Sequence, residues 1–156
     1  MTAGPPFVIG VISDTHGLLR PEALAVLQGS HLIVHAGDIG DPAILKALEK
    51  LALVKAVRGN IDVERWARKI PETVQFEAAG KRFVVLHDAK QYGSREAVDC
   101  VISGHSHVPL SEVRNGALFF NPGSAGPRRF RLPISLGRIV VRAGTLEPEL
   151  ITLPLD

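Results

Sequence analysis

Asp14 and His16 stand two positions apart in "VISDTHG", where an apolar run rich in β-branched residues stops and a glycine follows. A carboxylate and an imidazole are donors that suit first-row divalent cations. In extended backbone, residues i and i+2 point the same way, so both side chains can reach one cavity. The same ending recurs along the chain. Asp38 follows the run 32–34 in "HAGD", Asn60 follows 53–57 in "VRGN", and His87 follows 83–86. His105 and His107 follow Val101 and Ile102 in "SGHSH". Two carboxylates, one amide and four imidazoles at strand ends form an N/O-rich donor set. Calcium prefers oxygen alone and structural zinc usually recruits thiolates, so two first-row divalent ions suit the set better. Glycine beside most of these residues lets backbone approach closely where a Cβ would clash.

The elements that must position these residues alternate in the first half of the chain. "PFVIGVIS" and "HLIVHAGD" read as strands, with "RPEALAVLQ" between them as a short helix that has Pro21 in its first turn. "DPAILKALEKL" is a second helix with Asp41 as N-cap and Pro42 at N1; Ile44, Leu48 and Leu51 form its core-facing stripe. "LALVKAVRGN" is a third strand. A βαβαβ rhythm implies parallel strands with right-handed crossovers, and ligands of such sheets bind outside the strands' carboxyl ends. The second half turns to hairpins: "TVQFEAAGKRFVVLHD" reversing near Gly80, "LSEVRNGALFFN" reversing at Asn115-Gly116, and two closing strands in "ISLGRIVVRAGTLEPELITL". "VDCVISGHSH" is a further buried strand. Parallel units followed by hairpins suggest an α/β fold of two mixed sheets packed together with helices outside.

Composition narrows the field. With 156 residues, 46% hydrophobic and 22% charged, the expectation is one globular domain over 1–156, without a linker or repeat. A net charge of +2 is too small to argue nucleic-acid binding by itself. Cys100 is the single cysteine, so no intrachain disulfide can form and a reducing, cytoplasmic location is expected. The N-terminal apolar run is short and lacks a preceding Lys or Arg, unlike a signal peptide, and nothing has the length of a transmembrane helix.

Taken in order, "GVISDTHG", "HAGDIGD", "VRGNID", "GHSH" and "NPGSAGPRRF" resemble the calcineurin-like metallophosphoesterases, and within them the small YfcE-type phosphodiesterases. The resemblance covers nearly the whole chain. It implies a four-layer αββα sandwich, two mixed β-sheets flanked by helices. It also implies one metal held by Asp14, His16 and His107, another by Asn60, His87 and His105, and Asp38 bridging both. Manganese is the first expectation, with nickel, iron, zinc, cobalt and magnesium as alternatives. The implied reaction is in-line attack on a small phosphoester by a hydroxide shared between two cations, with Asp38 and Asn60 as catalytic residues. Asn60 would also donate to a phosphate oxygen, and Arg58 and Arg128 are candidate grips for the anion, beside Arg129 and Arg131. A homo-oligomer is left open.

Two positions depart from the pattern. Many relatives carry "GNH", whose histidine can protonate the leaving group; Ile61 stands here. The usual "HGH" is "LHDA", so Asp88 follows the ligand histidine, as a modifier of the site or as a solvated loop carboxylate. Bland roles are expected for several other residues. His35 is assigned to packing or ligand support, His31 to a surface strand end and Cys100 to the core. Asp62 supports the Asn60 turn or caps a short helix, Trp66 is core or pocket wall, and Asn121 belongs to a turn supporting the site. The competing readings are a protein-interaction scaffold, which the seven intact ligands disfavour, and a nuclease, for which no long basic stripe exists.

Overall fold

The structure, a computed structural model, describes residues 5–93 and 97–154. Strand β1 (Phe7–Ile12), helix α1 (Pro21–Leu27), β2 (Leu32–His35), α2 (Pro42–Glu49) and β3 (Leu53–Ala56) make the expected βαβαβ run. Pro21 and Pro42 open the two helices, where the missing N–H costs no hydrogen bond. Asp41 caps α2 by accepting the Ala43 N–H at 2.9 Å. The second half runs through β4 (Thr73–Ala78), β5 (Lys81–Leu86), β6 (Cys100–Ile102), β7 (Leu110–Arg114), β8 (Ala117–Asn121), β9 (Ser135–Arg142) and β10 (Thr145–Thr152). Short 3-10 turns lie at Arg65–Lys69 and Ala89–Gln91. The three hairpins turn at Ala79-Gly80, Asn115-Gly116 and Ala143-Gly144; every one of these residues has positive φ, the pairing that matches strand twist.

The strands form two mixed five-stranded sheets, ordered β10-β9-β1-β2-β3 and β4-β5-β6-β8-β7. Within them β1, β2 and β3 are mutually parallel, as are β5, β6 and β8. The facing sheets enclose a core of Ile9, Val11, Val34, Phe83, Ile102, Phe120 and Ile139 with their neighbours. Helices α1 and α2 close the outer face of the first sheet through Ala23, Leu27, Ile44 and Leu48, which pack on Ile12, Ile33 and Leu136. Trp66, partly buried, packs against this layer. On the outer face of the second sheet, Tyr92, Val98 and Phe119 cover Val84, Leu86 and Val101. Among the described residues, the outer layer on this side is thin: a 3-10 turn at Ala89–Gln91 is the helical element between β5 and β6. Because β1, β2, β3, β5 and β6 end at the same rim, the five predicted strand endings meet there. The contacts between their loops prove the convergence, beginning with the His105 N–H on Asp14 Oδ2 at 3.1 Å.

Candidate metal centre

Asp14, the first residue of the centre, is buried, and its carboxylate is oriented by its neighbours. Oδ2 accepts the Ser13 hydroxyl at 2.7 Å and the His105 backbone N–H at 3.1 Å. Oδ1 has no hydrogen-bond partner and no solvent contact. It lies 3.3 Å from His107 Nε2, 3.8 Å from His16 Nε2 and 3.9 Å from His87 Nε2. Asp38 completes the group: its Oδ1 accepts the Ile61 N–H at 3.1 Å, and its Oδ2 lies 3.2 Å from His87 Nε2 and 3.5 Å from His16 Nε2. His87 is aimed by its other nitrogen, whose N–H donates to the Ala36 carbonyl at 2.7 Å and leaves the Nε2 lone pair facing the carboxylates.

Five of the residues expected as ligands have left-handed backbone: Asp14, His16, Asp38, His105 and His107, with φ from 46° to 70°. Such conformations cost on the order of 1–3 kcal/mol each outside glycine and persist only where the surroundings impose them. Here, loop-to-loop hydrogen bonds do so. Asp14 N–H reaches Gly37 O (3.0 Å), His16 N–H reaches Asp38 O (2.9 Å), and Gly104 N–H reaches His87 O (2.9 Å). The neighbouring glycines are required for this approach. A Cβ on Gly37 would stand 2.6 Å from His87 Nδ1, and one on Gly104 would stand 2.6 Å from Asp14 Oδ2.

The electrostatics follow from burial opposed by partners. Burial pushes the Asp14 carboxyl up, but His107, His16 and the Ser13 hydroxyl outweigh it and hold the group well below the usual carboxylate range. Asp38 is likewise raised by burial and brought below its ordinary value by His87 and the Ile61 N–H. His87 is lowered by burial, yet Asp38 and the Ala36 carbonyl raise it on balance. Both carboxyls are therefore ionised at neutral pH. Two donor atoms bound to one cation at ~2.1 Å lie about 3.0–3.4 Å apart. The 3.2 Å His87–Asp38 and 3.3 Å His107–Asp14 spacings fall in that range, and the 3.5–3.9 Å pairs would close by a few tenths of an ångström on a bound ion, for which Asp14 Oδ1, His16 Nε2 and His87 Nε2 lack other partners.

Two compact clusters result: Asp14 with His16 and His107, and Asp14 with Asp38 and His87. The first is the trio that the resemblance implies for one ion. The remaining two residues lie further out. His105 is exposed, with its ring edge-on to His87 at 5.1 Å between centroids, and Asn60 is exposed on the wall of the adjoining cleft. That cleft, about 370 Å³, is lined by Arg58, Asn60, Glu72, Thr73, His87, Asp88 and their neighbours. Arg58 lines it but is engaged, holding Glu72 at 3.0 Å and the Ile70 carbonyl at 2.9 Å. Arg128, Arg129 and Arg131 are exposed and lie outside the lining of this cleft.

The supporting residues are now defined. His35 is buried and no ligand: its Nδ1 accepts the Gly37 N–H at 3.1 Å, so Nε2–H donates to the Thr15 hydroxyl at 3.0 Å, which in turn donates to Ile39 O at 2.8 Å. Burial pushes its pKa down to about 4, which keeps it neutral. Asp62 is buried and accepts three backbone N–H groups: Ile39 (3.0 Å), Gly40 (3.0 Å) and Gly59 (2.8 Å). It ties the Asp38 loop to the Asn60 loop. Asn121 donates to Gly104 O and Ser106 Oγ, and Ser124 donates to Asp14 O, so the "NPGSAG" turn braces two ligand loops. His31 stacks on Phe7 at the surface, and the buried Cys100 thiol is pushed up by desolvation and is inert. Ser13 and Thr15 were not marked by the sequence reading; hydroxyls on both sides of a motif aspartate are the available signal.

Residues 7–144 match the calcineurin-like phosphoesterase superfamily domain. The chain belongs to that superfamily. Phosphoesterases of this superfamily use divalent metals, in keeping with the donor set. The chain is 37% identical over 132 residues to a probable metallophosphoesterase of Methanothermobacter thermautotrophicus, covering 75% of this chain and 76% of that one. It is 29% identical over 136 residues to a phosphodiesterase of Methanocaldococcus jannaschii, covering 74% and 82%. An archaeal phosphodiesterase shares the fold with a TM-score of 0.77 at 24% identity, over 94% of this chain and all (100%) of the other. Vps29 of Chaetomium thermophilum shares it with a TM-score of 0.73 at 21% identity, over 95% and 100%.

Proposed function

We propose that this calcineurin-like phosphoesterase is a dinuclear, metal-dependent phosphodiesterase, acting in the cytoplasm on a small phosphoester, with 1–156 as a single catalytic domain. The observation that carries the proposal is that His16 Nε2 and His87 Nε2 each lie within 3.9 Å of both Asp14 Oδ1 and Asp38 Oδ2, with three of these four atoms buried and unpartnered. Asp14, His16 and His107 would hold one ion, Asn60, His87 and His105 the other, and Asp38 would lie between them. Bound ions supply Lewis-acid charge at the phosphoryl oxygens and a water acidified towards neutrality, with manganese the first candidate. The chain's own residues set the rest. The Ala36 carbonyl keeps the His87 Nε2 lone pair directed inward, and the Ile61 N–H keeps Asp38 turned towards both histidines. The Asn60 carboxamide, on the cleft wall, donates to a phosphoryl oxygen. No acid occupies position 61, so leaving groups that need little protonation are favoured.

The test is to strip the protein with chelator, restore Mn²⁺, and assay matched aryl diester and monoester substrates with Asp38→Ala as control. Diester turnover that the control loses is expected. Bound metal without turnover of either ester would favour a scaffold, a reading kept in view by the Vps29 likeness and by the exposed Ile61. Failure to bind metal overturns the account of the site.

A further inference from the structure

Asp88 stands on the wall of the metal-site cleft, immediately after His87, where its carboxylate is held in place. Oδ1 accepts the Lys90 N–H at 3.0 Å, and Oδ2 lies 4.0 Å from His105 Nε2. The cleft's other charged wall residues, Arg58 and Glu72, cancel each other through their 3.0 Å ion pair, and the Ile70 carbonyl occupies the second Arg58 nitrogen. Among the described residues, Asp88 is therefore the charged residue of the cleft wall with no Lys or Arg partner. Its Oδ2, 4.0 Å from His105 Nε2, lies at the edge of the site where the ions, and with them the phosphoryl group, would be held. A phosphomonoester brings two negative charges to that point at pH 8 and a phosphodiester brings one. A fixed carboxylate within several ångströms penalises the additional charge.

We propose that Asp88 determines the substrate class: it rejects dianionic phosphomonoesters and admits monoanionic phosphodiesters, whose second arm lies in the cleft between the Arg58–Glu72 pair and Gln91. The cleft's volume of about 370 Å³ suits such an arm, and Thr73 and Gln91 offer it neutral hydrogen-bonding groups. The inference rests on the phosphoesterase reading for its substrates. It concerns charge selection, which binding alone can test.

Asp88→Asn and Asp88→Glu are compared with the wild type at matched manganese content, on p-nitrophenyl phosphate and bis-p-nitrophenyl phosphate. Asn retains the acceptor for the Lys90 N–H, so only the charge is lost. The monoester-to-diester ratio of kcat/KM rises roughly tenfold or more in Asp88→Asn, the effect of one unit charge a few ångströms away. It stays at the wild-type value in Asp88→Glu. Calorimetry with phenylphosphonate and its monomethyl ester reads the same selection without turnover: Asp88→Asn tightens the dianion about tenfold more than it tightens the monoanion. Unchanged ratios and unchanged phosphonate preference in Asp88→Asn overturn the proposal, as does an Asp88→Glu variant that behaves like Asp88→Asn. If the wild type hydrolyses neither ester, the phosphodiesterase reading fails. The phosphonate titration then still decides the charge filter: rejection of the dianion that Asp88→Asn relieves supports it, and equal binding overturns it.

Discussion

Replacing Asp62 by alanine removes the acceptor for three backbone donors at once, the N–H groups of Ile39, Gly40 and Gly59 at 2.8–3.0 Å. The carboxylate is buried, with 3% of the residue's surface exposed, so its removal leaves these donors without an acceptor in the protein. Hydrogen bonds to a charged partner contribute ~1.5–3 kcal/mol each, and water entering the vacated space returns part of that. A net loss of about 3 kcal/mol is expected in urea unfolding at pH 7.5. The Asp38 and Asn60 loops also lose their tie, so metal affinity falls ~10–100-fold, the usual effect of removing a group that orients ligands. Asp41→Ala is the control: it removes one exposed helix cap, costs ~1 kcal/mol and leaves metal titrations unchanged. An Asp62→Ala protein that loses less than about 1 kcal/mol and binds metal like the wild type would refute the clamp.

Two further outcomes follow from the same loops. His35 has its folded pKa near 4 against 6.5 unfolded, so the unfolded chain binds the extra proton and acid favours unfolding. This contribution is complete above pH 6.5 and is lost as pH falls towards 4; it amounts to ~3 kcal/mol, of which roughly 2.5 has gone by pH 4.5. Denaturation of metal-free His35→Gln at pH 7.5 and 4.5 should show a correspondingly smaller loss than wild type, and identical losses would exclude His35 as the source. Gly104→Ala puts a Cβ 2.6 Å from Asp14 Oδ2, whereas Gly80→Ala meets nothing within 4 Å. The first should lose at least tenfold in metal affinity and the second only ~1 kcal/mol of stability, read by metal titration and unfolding; equal metal affinity in both would contradict the packing argument.

Much of this protein was determined by its sequence alone. The apolar runs, the prolines at helix starts, the Asn115-Gly116 turn and the donor residues at strand ends are local signals, because period and turn chemistry act over a few residues. They yielded the two-sheet sandwich and brought Asp14, His16, Asp38, His87 and His107 to one rim. What neighbours in the chain cannot specify came only with the tertiary structure. Asp62 reaches Ile39 across 23 positions, and Ser124 reaches Asp14 across 110. Bonds of the same long-range kind, from Asp14 to Gly37 and from His16 to Asp38, hold left-handed backbone at candidate ligand residues, and the His105 N–H on Asp14 Oδ2 decides which carboxylate oxygen faces the centre. They also separate His35, a neutral support, from His87, a candidate ligand, although both close apolar strands. Arg58 is a substrate grip by residue type and a paired wall residue by contact. Residue type sets which atoms can donate or accept, but the partner each atom finds depends on loops that only folding brings together.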